Sequence, residues 1–297
     1  MLQMKRRIDG VLLLDKPAGL SSNIALQKAK RLFRAEKAGH TGTLDPLATG
    51  LLPLCLGEAT KYSQFLLDAD KEYLALVKLG VRTSSGDQDG EVIAARKVDV
   101  SKEELLSALS GFQGEIEQMP PMHSALKHAG RPLYEYARKG IEIERKTRRV
   151  VVHSLVLENF DGELCTLRVH SSKGFYVRAL ADDLGEALGC GAHLQGLRRI
   201  RVGPFRIEQA LTLDGLCEMP EADRDGQLMP ADIMVESLKP LSLDIEAAWQ
   251  IGHGQPVWLP RLAVGQLHRL YGADGHFLGV GEVNPDGKLA PRRLLAT

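Results

Sequence analysis

The chain has 297 residues, of which 44% are hydrophobic and 26% are charged, a composition typical of globular proteins with one large domain or two of ordinary size. Its 38 basic and 38 acidic residues cancel, so only local clusters of cations, and not the net charge, could indicate nucleic-acid binding. No apolar run approaches the ~20 residues that cross a bilayer, which excludes a membrane-spanning protein.

The N-terminal segment and the cysteines predict a soluble, cytoplasmic protein. The basic start leads into only Val-Leu-Leu-Leu before Asp15, which is too short for a signal peptide. The four cysteines are scattered among apolar neighbours and have no C-x-x-C spacing. We therefore expect reduced packing residues rather than a disulfide framework or a zinc site.

The chain opens with a predicted strand and a predicted helix. Residues 10–14 are an apolar run typical of a short buried strand. Residues 22–33 carry apolar side chains at helical spacing, and Ser21 or Ser22 would cap this helix.

Residues 38–53 form a segment that holds one histidine, His40, and one carboxylate, Asp45. It also contains the glycines Gly39, Gly42 and Gly50. Glycine permits backbone angles that a side chain forbids, so we expect a tight, irregular path rather than a regular strand or helix. Loops held by a rigid scaffold often carry chemistry.

Asp45 has two interpretations. Pro46 either pushes it towards extended backbone angles or makes it the N-cap of a helix that begins at the proline. In both geometries we expect the carboxylate to stay ionised. Asp45 is then either a helix cap, with His40 a loop histidine whose hydrogen bonds are made within the protein, or a reactive group.

Helices and strands alternate along the following residues. The predicted elements are a helix at 58–67, strands at 72–80 and around Ile93, a helix from a capping box at Ser101 and Glu104 through Leu109, and strands at 150–159 and 164–170.

Two groups of cations interrupt this pattern. Residues 120–150 form a proline-flanked insertion with six cations between Arg138 and Arg149. A solvated surface and contact with phosphates both explain such a run. The second group comprises Arg198, Arg199, Arg201 and Arg206.

A second candidate motif, residues 171–180, runs from the end of a strand into a helix predicted at 177–188. It places Tyr176 and Arg178 on the same side of an extended segment. Arg178 could then reach a carboxylate elsewhere in the fold and hold it ionised. A surface arginine beside a packing tyrosine is the alternative.

Beyond Asp214 the pattern weakens. Residues 219–232 concentrate Asp, Glu, Gly and Pro and predict a link. Short strand patterns follow at 256–259, 267–271, 277–282 and Leu294, separated by turn sequences. They predict a small β domain.

Several of these strings resemble the TruB family of pseudouridine synthases, which act on the T-loop of transfer RNA. The family pattern G-H-x-G-x-L-D-P matches residues 39–46, and S-x-G-x-Y-x-R matches residues 172–178. The resemblance continues from about residue 9 to 215, and the last residues resemble more loosely a β module related to the PUA domain. Further matching strings are at 10–17, 70–73, 121–127, 133–138 and 191–199.

The resemblance implies an α/β (α+β) fold with a mixed, largely antiparallel sheet, flanking helices and a small β-rich PUA-like C-terminal domain. Residues 1–240 would be the catalytic domain, with an RNA-clamping insertion at about 120–150. Residues 241–297 would be the PUA-like domain.

The resemblance also implies roles for individual residues. Asp45 would be the catalytic carboxylate and Arg178 its partner, while Tyr73 would stack on the target base. Tyr176 and Leu197 would line the uridine pocket. His40, five residues before Asp45, is our candidate to fill the gap that a flipped base leaves. Taken alone, Tyr73 and Leu197 would be packing residues.

The implied reaction turns the uridine at position 55 of the transfer RNA T-loop into pseudouridine. The redox state does not change and no atoms are lost, so we expect no cofactor and no metal. Asp87 and Asp89 lack the later ligands of a calcium loop. The partner would be the T-arm of transfer RNA, with its phosphates against residues 138–149 and 198–206. Lys16 and Lys61 are weaker candidates for RNA contact, and we expect a monomer without a protein partner.

Alternatives stay open at this point. The chain could be an RNA-binding or RNA-folding module without catalysis. It could also be a hydrolase that uses Asp45 on a glycosidic bond, although no second carboxylate stands at a recognisable spacing. Within the isomerase hypothesis, Asp45 could attack C1′ or C6 of the nucleotide or remove a sugar proton to give a glycal.

Overall fold

The computed structural model of the chain describes residues 4–296 and contains two main β-sheets with flanking helices. The first sheet has ten strands and the second has five. Within the described residues, no helix combines the length and apolar character needed to cross a bilayer.

The strands in chain order are β1 (Gly10–Lys16), β2 (Ala38–His40), β3 (Thr49–Leu56), β4 (Lys71–Leu79), β5 (Val81–Thr83), β6 (Val92–Ala95), β7 (Gly114–Gln118), β8 (Lys127–His128), β9 (Arg131–Pro132), β10 (Arg148–Phe160), β11 (Leu164–Ser171), β12 (Ala192–Val202), β13 (Phe205–Arg206), β14 (Leu211–Thr212), β15 (Lys239–Ser242), β16 (Val257–Trp258), β17 (Leu267–Tyr271), β18 (Phe277–Val283) and β19 (Lys288–Leu294).

The α-helices are α1 (Ser22–Leu32), α2 (Ser63–Leu67), α3 (Lys102–Ser110), α4 (Leu133–Ala137), α5 (Val177–Ala187), α6 (Leu213–Glu218), α7 (Glu221–Arg224) and α8 (Ile245–Gly252). Short 3₁₀ helices span Gly57–Tyr62, Ile207–Gln209, Asp225–Gln227 and Ala231–Val235.

The large sheet has the strand order β14-β1-β3-β12-β4-β11-β10-β7, with β2 added beside β3 and β13 beside β12. Its pairings are antiparallel except for β1 with β14 and β3 with β12. The prediction of a mixed, largely antiparallel sheet with flanking helices is therefore confirmed.

The two halves of the large sheet meet in a short seam between β3 and β12. Only two residue pairs join these strands, Arg198 with Thr49 and Arg199 with Gly50. The chain between β2 and β3, residues 41–48, is the irregular loop that carries Asp45. The loop therefore begins and ends beside the seam.

Each half of the large sheet is covered by its own helices. Helix α1 packs on β1 and β3 through Ala25, Leu26 and Ala29. The predicted Ser21 cap is present, because its side chain accepts the Ile24 N–H. Helices α3 and α5 cover β4, β10, β11 and β12 through a separate apolar cluster.

The second sheet has the order β15-β17-β18-β19-β16, so the predicted C-terminal β structure is confirmed. A third apolar cluster joins the two sheets, since it contains Val11 and Tyr62 together with Phe277 and Val280. The predicted division at residue 240 stays a prediction. Residues 1–3 and 297 of the predicted ranges, including part of the N-terminal segment, lie outside the described residues.

Two local predictions are wrong. Residues 38–40 and 49–56 are regular strands, and Gly39 takes an ordinary strand conformation in β2. Residues 219–232 are more than a link, because Met229 exchanges backbone hydrogen bonds with Val11 of β1 at 2.8 and 2.9 Å. Long-range packing orders a segment whose composition is typical of loops.

Candidate active site

The loop of residues 41–48 is fixed by hydrogen bonds from outside it. The Leu44 N–H donates to Ser22 Oγ at 2.8 Å, and this hydroxyl donates to Leu44 O at 2.9 Å. The Gly19 N–H donates to Pro46 O at 2.8 Å. No helix begins at Pro46, and the chain turns into β3 instead, so the interpretation of Asp45 as a helix cap is wrong.

Arg199 binds the chain on both sides of Asp45, at Gly42 in the loop and at Leu51 in β3. Its side chain is 1% exposed, and Nε donates to Leu51 O at 2.8 Å while Nη2 donates to Gly42 O at 2.9 Å. Its third partner is the Tyr73 side chain, and burial lowers the pKa of this guanidinium. At Gly50, with φ +103°, an added Cβ would lie 2.2 Å from Arg199 O, so only glycine fits against β12.

Asp45 forms an ion pair with Arg178, whose Nη2 lies 3.0 Å from Asp45 Oδ2. The same guanidinium faces a second carboxylate, with Nη1 3.4 Å from Asp87 Oδ2. Arg178 also donates to Ser85 O at 3.3 Å and to His123 O at 2.5 Å. One buried arginine therefore stands between two carboxylates and is fixed by two backbone carbonyls.

The two carboxylates differ in access. The Asp45 side chain is 40% exposed and the Asp87 side chain 7% exposed. Asp87 Oδ1 accepts hydrogen bonds from the Ser85 hydroxyl at 2.5 Å and the Asp89 N–H at 3.2 Å. The Asp87 carboxylate is thus buried and bonded to protein groups, whereas the Asp45 carboxylate is accessible to a ligand.

The pKa of Asp45 is raised above its ordinary value. Desolvation in the pocket is the main cause, and the negative charge of Asp87 adds to it, while the positive charge of Arg178 opposes it. Desolvation therefore opposes the ionised form that was expected for Asp45, and Arg178 favours that form.

Asp45 opens into a cavity of about 340 Å³. Tyr73, Tyr176, Arg178 and Leu197 also line it. Five of the six predicted site residues therefore meet, although they come from the loop, β4, the start of α5 and β12. Their roles stay predictions, because geometry alone assigns none.

His40 lies outside this lining, at the end of β2 and half-buried. Its Nδ1 is buried and has no hydrogen-bond partner among the residues that the structure describes. Burial, with the positive charge of Arg199, lowers the pKa of the imidazole. The neutral ring is consistent with a stacking surface.

Tyr176 and Arg178 do not share an extended segment as predicted. Tyr176 is the extended N-cap residue of α5, and Arg178 lies in the first turn of that helix. The Gln118 side chain fixes the cap, accepting the Tyr176 N–H at 3.0 Å and donating to Tyr176 O at 3.2 Å. Both side chains reach the cavity because the helix begins at its wall.

Several basic side chains predicted to contact RNA instead bond to groups of the protein itself. Lys16 is fully buried, its Nζ donates to Leu20 O at 2.7 Å, and burial lowers its pKa to about 8. Lys61 donates to Leu294 O at 2.8 Å. Arg198 forms a bidentate pair with Asp15, and Arg199 is buried as described. The predicted phosphate contacts of Lys16 and Arg199 are therefore wrong.

The cations of the 120–150 insertion are more accessible. Arg145 and Arg149 pair with glutamates, whereas Lys139, Lys146 and Arg148 are exposed and have no ion-pair partner within residues 4–296. Burial raises the pKa of the Tyr176 hydroxyl, and the positive charge of Arg148 opposes this rise. This insertion thus presents exposed positive charge, and Arg148 is the member whose charge acts on a residue of the cavity wall.

Models of known protein families match residues 30–295 of the chain. Residues 30–177 match the model of the TruB family pseudouridylate synthase N-terminal domain. Residues 178–241 match the C-terminal domain model of tRNA pseudouridylate synthase B, and residues 240–295 match the C-terminal model of pseudouridine synthase II TruB.

Individual relatives give the same picture. The chain is 53% identical over 293 residues to tRNA pseudouridine synthase B of Methylobacillus flagellatus, covering 99% of this chain and 97% of the relative. It is 54% identical over 297 residues to that of Dechloromonas aromatica, covering 99% of both. A chain in the crystal structure of the archaeal box H/ACA sRNP Nop10-Cbf5 complex superposes with a TM-score of 0.73 and 27% identity, covering 96% of this chain and 85% of that chain.

These matches and the shared fold lead to one conclusion: the chain belongs to the TruB family of pseudouridylate synthases and is an isomerase.

Proposed function

We propose that this chain isomerises the uridine at position 55, in the T-loop of transfer RNA, to pseudouridine, and that Asp45 supplies the reactive carboxylate. Transfer RNA as the substrate is supported by the curated relatives, which are named tRNA pseudouridine synthase B. The observation that carries the assignment of Asp45 is its 3.0 Å ion pair with Arg178 at the wall of the cavity.

The reaction breaks the bond from N1 to C1′, turns the uracil and joins C5 to C1′. One proton leaves C5 and one is gained at N1, so the product is an isomer of the substrate. These steps need a carboxylate near the sugar and a pocket that retains the detached base. Asp45 is the exposed carboxylate of the cavity, and the aromatic and apolar side chains around it form the pocket.

Arg178 would position Asp45 before the substrate arrives. Its guanidinium is held by Asp87 and by the carbonyls of Ser85 and His123, so no bound RNA is needed to place it. Such preorganisation lowers the cost of reaching the reactive geometry.

The substrate uridine must leave its stack to reach this pocket, at a cost of roughly a few kcal/mol. Tyr73 would stack on the flipped base, and Tyr176 and Leu197 would close the pocket around it. His40, neutral and just outside the cavity, would fill the gap left in the RNA. Lys139, Lys146 and Arg148 would meet phosphates.

Replacement of Asp45 by Asn tests the proposal. We expect Asp45→Asn to bind T-loop RNA with wild-type affinity within about threefold and to form no pseudouridine, because the amide keeps the shape and loses the charge. Carbodiimide labelling of treated transfer RNA followed by primer extension gives the amount of product and its position. Filter binding on the same RNA gives the affinity.

Other outcomes separate the alternatives. Normal product formation by Asp45→Asn would contradict the role of Asp45, and product at another uridine would contradict position 55. Binding by the wild-type chain without product would favour an RNA-binding module. Release of free uracil would favour a hydrolase.

A further inference from the structure

Three side chains that the proposed reaction does not use converge at one end of the large sheet. They are Asp70, just before β4, His153 on β10 and His170 on β11. One ligand atom from each lies within 4.8 Å of those of the other two. His153 Nε2 is 3.1 Å from Asp70 Oδ2, and the two imidazole rings have centroids 4.8 Å apart at 45°.

A β-bulge brings the two histidines together. Val152 pairs with Ser171 and Ser154 pairs with His170, so His153 is an extra residue in β10. The burial pattern of β10 shows the same extra residue, because the buried residues Val152 and Leu155 are three positions apart instead of two. His153 and Ser154 therefore follow each other on the outer side, where regular alternation would allow only one of them.

The cluster lies on the face of the sheet opposite the one that packs on α5. On β11 the buried Val169 and Ser171 flank His170 and point the other way. The nearby charges are largely matched, since Glu72 and Glu158 contact Arg168 and Asp68 contacts Lys173. Asp70 is thus the carboxylate left to face the imidazoles.

Two imidazoles and one carboxylate form a donor set for a divalent transition-metal ion. Imidazole suits zinc, nickel and cobalt, whereas magnesium and calcium prefer oxygen ligands throughout. The distances between ligand atoms are compatible with an ion about 2.0–2.2 Å from each of them after small side-chain rotations. The partly exposed side chains leave the remaining positions to water.

We propose that Asp70, His153 and His170 form a surface site for a divalent transition-metal ion such as zinc. The ion would link the segment before β4 to the later hairpin of β10 and β11. Because that segment and the hairpin are far apart in the sequence, the link would stabilise the folded state. Tyr73 lies three residues after Asp70 on the opposite face, so the ion stays outside the cavity. No metal was expected from the implied reaction, and the three ligands are too far apart in the chain to form a local sequence motif.

Titration of the full-length, chelator-treated protein with zinc chloride tests this site. We expect one ion per chain, a raised melting temperature, and at least tenfold weaker binding in both His153→Ala and His170→Gln. His128→Ala is the matched control, since His128 is an exposed histidine in β8 outside the cluster. With cobalt chloride we expect d–d absorption bands in the wild type and in His128→Ala only.

Melting curves without metal show whether the variants fold. The site is refuted if the wild type binds no stoichiometric ion, or if folded His153→Ala and His170→Gln bind it as tightly as the wild type. Pseudouridine formation is measured separately, and its loss in Asp45→Asn with metal binding intact would leave this inference standing.

Discussion

At the scale of single residues, Arg178 is shared by two carboxylates of unequal access. Asp87 holds the guanidinium from the buried side and Asp45 meets it from the cavity. The two negative charges also act on each other, since Asp87 raises the pKa of Asp45. Asp87 thus affects both the position and the ionisation of the proposed catalytic group.

We therefore expect the pH profile of Asp87→Asn to differ from that of the wild type. Asp45 would act as a carboxylate, so activity falls as pH decreases through its pKa. Removal of the Asp87 charge lowers that pKa, and the acidic limb of kcat/KM should move to lower pH. Single-turnover rates on T-loop RNA at subsaturating enzyme concentration, between about pH 4 and 8, measure this limb of kcat/KM.

Asp89→Asn is the matched control, because the negative charge of Asp89 raises the pKa of Asp45 less than that of Asp87 does. It should leave the acidic limb almost unchanged. A limb that moves to higher pH in Asp87→Asn, or equally in both variants, would contradict the coupling.

Sequence patterns identified Asp45, Tyr73, Tyr176, Arg178 and Leu197 as one pocket through a family resemblance. They did not identify Asp87, because its contact with Arg178 joins distant parts of the chain and leaves no local signal. The prediction that Arg199 contacts phosphates was wrong for a similar reason. A buried arginine and an exposed arginine have the same sequence neighbours, and only the fold reveals the carbonyls that satisfy its donors.

At the scale of helices and strands, an element's start could be predicted where nearby side chains determine it. Helix α3 begins at its predicted capping box, in which Ser101 and Glu104 bond each other's backbone N–H groups. The predicted helix at 58–67 is instead a 3₁₀ helix, Gly57–Tyr62, followed by the short α2. Lys61 and Tyr62, at the end of the 3₁₀ helix, donate hydrogen bonds to carbonyls of the C-terminal residues, contacts that the local sequence does not reveal.

The start of β3 depends on the absence of a side chain at Gly50. We expect Gly50→Ala to lower the free energy of unfolding by about 3 kcal/mol or more, because the added Cβ overlaps Arg199 O and the backbone has φ +103°. Urea unfolding followed by circular dichroism measures the change.

Gly39→Ala is the control within the same motif, since its added Cβ would meet only Thr60 Cγ2, at 3.8 Å. It should change the free energy of unfolding by less than about 1 kcal/mol. Equal effects of the two substitutions would show that close packing at the seam is not the cause.

The basic insertion should contribute to RNA affinity through charge alone. We expect Lys139→Gln and Lys146→Gln each to weaken binding and to reduce the slope of log K against log salt concentration by about one. Lys97→Gln, at an exposed lysine outside the insertion, should preserve the slope. An unchanged slope in both insertion variants would place the phosphates elsewhere.

At the scale of the whole molecule, the two sheets share one apolar cluster. Phe277 of β18 contacts Tyr62, which follows β3, with ring centroids 5.6 Å apart at 54°. The Tyr62 hydroxyl donates to Arg293 O at 3.2 Å. The second sheet is therefore packed against the first and is not tethered to it only by a linker.

We expect Phe277→Ala to lower the free energy of unfolding by about 3 kcal/mol and to separate the unfolding of the two sheets. Differential scanning calorimetry would then show two transitions. Trp258→Ala is the control in the same sheet, because Trp258 is 67% exposed and its loss should cost at most ~0.5 kcal/mol. A single transition in Phe277→Ala at the wild-type temperature would contradict a shared core.

The pairing of β1 with β14 can form only late in synthesis, because β14 is made long after β1. Leu14 is aligned with Leu211, about 200 residues later, and Val11 bonds to Met229. At ~5–20 residues per second, the ribosome needs roughly 10–40 s to make the strand that covers this edge. During that interval β1 exposes unpaired backbone groups to the cell. Nascent chains that stall before residue 211 should therefore depend most on chaperones.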